Sequence, residues 1–243
     1  MALNRHGPKL EDPIVSTPAQ TLFAAILDDD RARVRELLKK HPDLPRHATA
    51  TEARCAWEIA HWIYARDTAL HVAAAGYQVE IGRMLLAGGA DPNAARNHRW
   101  SRPLHYAADG YLENPSWNPQ RQVAMIQLLL QAGADIQAPD KNGATALHRA
   151  VRTRCAAAVE CLLDAGGDPT IRNKPGSTPF HLAVQNTGRG GSGAEKAKAA
   201  QVEIIRSFLK RGVSVALKDR NGKSVLQWAR SEAIRQLLAR KAG

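Results

Sequence analysis

One four-residue phrase returns along the chain: Thr68-Ala-Leu-His71, Arg102-Pro-Leu-His105, Thr145-Ala-Leu-His148 and Thr178-Pro-Phe-His181, with a degenerate fifth copy at Ser224-Val-Leu-Gln227. Its histidines stand 34, 43 and 33 residues apart, so the repeating unit is near 33 residues and one unit carries ten more. A chain written this way has no single central core. Each unit is too short to bury its own apolar face, and burial has to come from stacking on the next unit.

The unit reads as helix, turn, helix. Threonine before proline, as at Thr178-Pro179, is a helix start: the hydroxyl accepts from an orphan N–H, and proline at the first helical position gives up no bond it needed. Small residues follow (Ala73, Ala74, Ala107, Ala108, Ala150, Ala183), which let a second helix lie close. That helix ends on an apolar pair, Leu85-Leu86, Leu129-Leu130, Leu162-Leu163 or Phe208-Leu209. Gly89, Gly133, Gly166 and Gly212 then suit left-handed caps. Asp91 to Asn93 and Asp140 to Gly143 are turn chemistry and predict a hairpin leading into the next unit.

The Thr-Pro-Leu-His phrase at this period resembles the ankyrin repeat. The resemblance runs from about residue 17 to 240 and implies an all-α ankyrin-repeat solenoid of about six helix-turn-helix units with short hairpin connections. The units fall at 17–44, 67–98, 101–141, 144–174, 177–220 and 223–243, with insertions at 45–66, 111–120 and 187–201. Residues 1–16 are expected to form a flexible N-terminal arm. The first unit, opened by Thr17-Pro18, and the charged last unit, with Gln227 in the histidine's place, act as polar caps. The resemblance further implies that each histidine bonds its own unit's threonine and the neighbouring hairpin backbone, and Arg102 breaks that rule.

The 243 residues carry a formal charge of +11, with residues 1–120 balanced and 121–243 holding the whole excess. Four of the five tryptophans, Trp57, Trp62, Trp100 and Trp117, lie in the neutral half. No apolar run is long enough to span a membrane and no hydrophobic signal core opens the chain, so a cytoplasmic protein is expected. Cys55, Cys155 and Cys161 lack Cys-x-x-Cys spacing; a disulfide framework is not expected, and Cys161 falls at a core position. The repeated histidines, spaced about 8 to 10 Å apart by helix packing, are too separated for a shared metal. No motif for a metal or a cofactor is present, and Gly188 to Gly193 lacks the Gly-Lys-Ser/Thr of a phosphate loop.

The insertions are where the chain departs from its own rule. Residues 52 to 63 have helical spacing of apolar residues, predicting an extra short helix. The two prolines of 111–120 predict a fixed loop, while Ala194 to Ala200 predicts that a second helix is lengthened backwards. Both of these insertions are expected on the side away from the hairpins.

These features point to a non-catalytic scaffold, a monomer that binds a protein partner with an acidic patch on the concave face of hairpin tips and first helices. The partner-binding residues expected are Trp62, Tyr64, Trp100 and Arg102 at the aromatic end, and Lys141, Arg149, Arg152, Lys174, Arg220 and Lys223 on the basic hairpins and first helices. Nucleic acid is disfavoured, since no aromatic residues interleave with the basic ones. A second class stands beside this: an enzyme or small-ligand binder with a Trp/His/Arg pocket built from the insertions at 45–66 and 111–120, in which His61, Asp67 and His98 would supply acid-base groups.

Overall fold

Thr17 accepts from the Gln20 amide and Gln20 answers to the Thr17 N–H, starting α1 at Pro18–Leu27. The computed structural model describes residues 17–47, 59, 61–110, 112, 117–187 and 193–239. Eleven more α-helices follow α1 among these: α2 Arg31–Lys40, α3 Ala69–Ala75, α4 Val79–Ala87, α5 Pro103–Ala108, α6 Pro119–Gln131, α7 Ala146–Arg152, α8 Ala156–Asp164, α9 Pro179–Ala183, α10 Glu195–Lys210, α11 Val225–Trp228 and α12 Glu232–Ala239. A short 3-10 turn covers Leu44–Arg46. The described residues contain no strand; an isolated bridge sets Lys218 opposite Ser224.

The helices form two layers. First helices stack as α1, α3, α5, α7, α9 and α11, and second helices as α2, α4, α6, α8 and α10, with the pairs from α1–α2 to α9–α10 also packed within their units. The fold is therefore the expected all-α repeat solenoid. The small residues of the first helices explain the close stacking: Ala73, Ala74, Ala107, Ala108, Ala150 and Ala183 are fully buried. Of each apolar pair on the second helices, the first member (Leu85, Leu129, Leu162, Phe208) is sealed completely and the second lies at the margin of the core. The four cap glycines hold φ between +73° and +90°.

The histidines bind unit to unit. In each, Nδ1 accepts from the backbone N–H at the start of its own helix, at 3.0 Å from Thr68, 3.0 Å from Arg102, 3.2 Å from Thr145 and 3.4 Å from Thr178. That leaves Nε2 as the protonated nitrogen, donating to the carbonyl of the next hairpin: His71 to Ser101, His105 to Ala144, His148 to Ser177 and His181 to Lys223, at 3.0 to 3.2 Å. Three threonine hydroxyls also bond Nδ1. Arg102 cannot, and only its backbone N–H keeps the link. Burial drives all four imidazoles toward the neutral form, His105 down to about 3 and His148 to about 4.

Within the first five units the turn has two solutions. Three units close it tightly with a left-handed residue, Asp29, Tyr77 or Arg154. In the two units with an insertion, a glutamine on the second helix secures the end of the first: Gln122 Nε2 donates to Ala107 and Asp109 carbonyls, and Gln201 Nε2 to those of Ala183 and Gln185. Pro119 is the first residue of α6, capped by Asn118, so the 111–120 loop expected from its prolines ends earlier than predicted. The backward extension of α10 is present, and its Lys196 Nζ reaches the Leu112 carbonyl at 2.9 Å, joining the two insertions. Most of the extra helix expected within 52 to 63 lies outside the described residues; its end at His61 to Ile63 is not helical. Residues 1–16 and Cys55 also lie outside them. Cys155 is buried, its thiol pushed up to about 11 by that burial, and Cys161 packs half-buried against the core.

Candidate partner-binding face

The hairpins begin with a side chain that imitates a turn. Asp140 Oδ1 accepts from the N–H groups of Asn142 and Ala144, Asp219 Oδ1 from those of Asn221 and Lys223, and Asn97 Oδ1 from those of Arg99 and Ser101. Asn173 does the same for Ser177. Successive tips then bond each other: Lys141 N–H to the Arg99 carbonyl at 2.8 Å, Lys174 to Asn142 at 2.8 Å and Arg220 to Gly176 at 3.1 Å. The row of tips is thus held in place before anything binds.

Its charges are sorted. Within hairpins and first helices (61–75, 95–109, 138–152, 170–183 and 216–228) the acidic residues are Asp67, Asp109, Asp140 and Asp219, and all four are buried, at 0%, 7%, 6% and 6% exposure. The cations stand the other way. Arg66, Arg96, Lys141, Arg152, Arg172, Lys174, Lys218, Arg220 and Lys223 are exposed, and Arg99 and Arg102 are half-buried. The second helices carry both signs in pairs, such as the exposed Glu36 with Arg33 and Lys40, and the half-buried Arg211 with Glu160 and Asp164. The charge excess therefore faces solvent on one layer, unneutralised by any exposed carboxylate of that layer.

Arg149 is the exception and corrects the expectation for that residue. It is 3% exposed: Nη1 donates to Asp109 Oδ2 at 3.0 Å, Nη2 to Ser101 Oγ at 3.1 Å, and Asp140 Oδ2 lies 3.7 Å away. Its guanidinium is an internal tie between two successive units, unavailable to a partner. Burial alone would push the Asp109 carboxyl up, but Arg149 and the His61 hydrogen bond bring it down to about 2. The register held the signal: the residue after the phrase histidine is Val72, Tyr106 and Leu182 in the other copies, an inward position.

The acid-base set of His61, Asp67 and His98 does not form. His61 Nε2 faces Asp109 Oδ2 at 3.3 Å, while Asp67 accepts from Tyr106 Oη at 2.8 Å, Asn97 Nδ2 at 2.7 Å and the Tyr64 N–H. His98 packs edge-on against the Tyr64 ring instead. These groups pin the first two hairpins to their helices. Tyr64 is tied further by Arg99, whose Nη1 donates to its hydroxyl at 2.6 Å.

Trp62 and Trp100 are the unaccounted residues, 54% and 57% exposed. Trp100 holds φ at +52° and Arg66 at +72°, at the hairpin position where the later units have Gly143, Gly176 and Gly222 at +73° to +96°. A Cβ in that conformation costs about 1–2 kcal/mol. Trp100 thus carries backbone strain and an exposed indole together, and the fold uses neither. Arg102 adds a third oddity: its Nε and Nη1 are shut from solvent without a hydrogen-bond partner. By contrast Trp117 is built in, its Nε1 donating to Gln122 and its ring under Lys196.

Two cavities lie toward the other end of the array. One of about 540 Å³ is lined by Gln185, Asp219, Gln227 and Trp228 among others, and one of about 720 Å³ opens between second helices at Ala156, Glu160, Arg206 and Leu209. Neither includes an expected aromatic residue, although Lys223 borders the first. No group of three or more potential metal ligands occurs among the described residues, and no described helix is long and apolar enough to cross a membrane.

Ankyrin repeat family models match residues 66–97 and 102–141, and a many-copy ankyrin model matches 129–183. An 84-residue stretch is 38% identical to Ankyrin repeat and SOCS box protein 6 of Mus musculus and 37% to that of Homo sapiens. It covers 35% of this chain but 18% of theirs, so the match spans less than a fifth of those relatives. The crystal structure of an ankyrin repeat domain from Acinetobacter baumannii superposes with a TM-score of 0.64 at 23% identity, over 91% of this chain and 97% of that one.

Proposed function

We propose that this chain, an ankyrin repeat protein, is a non-catalytic scaffold whose hairpin tips and first helices form a concave face that holds a partner protein. Ankyrin repeats are in general protein-interaction modules, and one observation carries the reading for this chain: the hairpin face exposes cations and two tryptophans while burying all its carboxylates. Trp62, Tyr64, Trp100 and Arg102 anchor the partner, and Lys141, Arg152, Lys174, Arg220 and Lys223 steer it and line the rim. The protein acts as a cytoplasmic monomer. No catalytic role is assigned, because the phrase histidines are committed to backbone groups and the His61 and Asp67 side chains to internal bonds.

Affinity capture from the native cell, with mass spectrometry at low and moderate salt, tests this by comparing the natural chain with a Trp100→Ala, Arg152→Glu double variant. The partner is expected to be lost from the variant and weakened by salt. If every captured protein is indifferent to both changes, the face has been assigned wrongly.

A further inference from the structure

We propose that the partner's contact is an extended acidic segment of about a dozen residues, anchored by one bulky apolar side chain against Trp62 and Trp100 and laying its carboxylates toward Arg102, Lys141, Lys174 and Arg220. This rests on the reading of the hairpin face as the binding face and names the chemistry that face selects.

Charge is the first argument. Every carboxylate of the face is buried, so nothing on it attracts a cationic partner or compensates the exposed cations. A basic segment is repelled and an acidic one is both attracted and oriented. Arg102 adds to the row: half-buried, it places a cation where the other full copies of the phrase have threonine.

The aromatic end supplies the second argument. Trp100 occupies a position where three other hairpins use glycine, and its indole stays exposed. Neither property serves the fold, and a large apolar ring at the end of a charged row serves an apolar anchor. Length follows from the stacking. Neighbouring hairpins are about 8–10 Å apart by helix packing, so the row from Arg66 to Arg220 spans roughly 30–40 Å. An extended peptide at about 3.3 Å per residue covers that with about nine to twelve residues, near one carboxylate in three. Single-stranded nucleic acid fits less well, because bases need stacking partners along the groove and the exposed tryptophans cluster at one end.

The test is to pan a display library of random sixteen-residue peptides on the full chain, then measure labelled winners by fluorescence anisotropy at 50 and 300 mM salt. Trp100→Gly is the chosen variant because glycine relieves the left-handed backbone, so lost binding is not lost folding; Lys174→Glu with Arg220→Glu is the second. Winners rich in Asp and Glu with one aromatic or aliphatic residue are expected. Their affinity should fall at least tenfold in each variant and at least tenfold with salt. Neutral or basic winners that still need Trp100, or no winners at all, overturn the acidic segment and leave the binding face standing. Winners indifferent to both variants overturn the face itself. An oligothymidylate that binds more tightly than the best peptide overturns the protein class.

Discussion

Trp100 holds φ at +52° with more than half its surface in water. Replacing it with glycine should therefore raise stability by roughly 0.5–1 kcal/mol, read as a higher denaturation midpoint, whereas alanine, which keeps a Cβ, should not. A midpoint that falls with glycine would show that the indole supports the fold. Arg149 is the opposite case. Arg149→Ala leaves Asp109 and Asp140 buried without their cation and should cost about 3–5 kcal/mol in urea unfolding. A loss below 1 kcal/mol would mean the tie is weaker than its geometry. Both residues show what single-residue reading supplies. Arg149 was legible as inward from its register after the histidine, yet its charge invited a surface assignment. The partners that accept a buried guanidinium, Asp109 and Ser101, come from the preceding unit, 40 and 48 residues away, and no local pattern announces them.

The helices were legible because each is written by local chemistry: a cap, a small-residue stretch, an apolar pair and a glycine. The insertions were legible as departures from the period but not in their consequences. Prolines at 115 and 119 suggested a loop throughout, and Pro119 instead opens α6, since proline suits the first turn of a helix as well as a loop. The glutamine device that replaces the tight turn has no local signature in the sequence. Gln122 and Gln201 sit 17 and 20 residues after their phrase histidines, and only the fold brings both to the ends of the first helices. Gln122→Ala removes a donor from two carbonyls and the acceptor of the Trp117 indole, and should cost about 1–3 kcal/mol. A red shift of tryptophan emission in the folded variant should accompany it. An unchanged denaturation midpoint would show that water takes the glutamine's place.

Across the whole array, the histidine ladder makes stability depend on pH. Above pH 6.5 the imidazoles are neutral in folded and unfolded chains alike, and their contribution is complete. As pH falls below 6.5 the unfolded chain takes up protons that the folded chain does not, so stability declines until pH reaches the folded values, about 4 for His148 and about 3 for His105. Between pH 7 and pH 5 these two should remove about 4 kcal/mol, with His71 and His181 adding in the same direction. Asp109 acts in the same sense in a lower window, from 3.8 toward 2. Urea unfolding at the two pH values checks this, and equal stabilities would mean that the imidazoles accept protons in the folded array.

The same ladder is why one layer can serve as a fixed surface, and the claim that this layer holds the partner is open to one direct measurement. A photo-crosslinking phenylalanine analogue is placed in cells at position 100 on the hairpins or at position 206, an exposed site on α10. Irradiation should join the chain to its partner from position 100 and not from position 206. A crosslinked partner from position 206 alone would place the contact on the second helices and contradict the account.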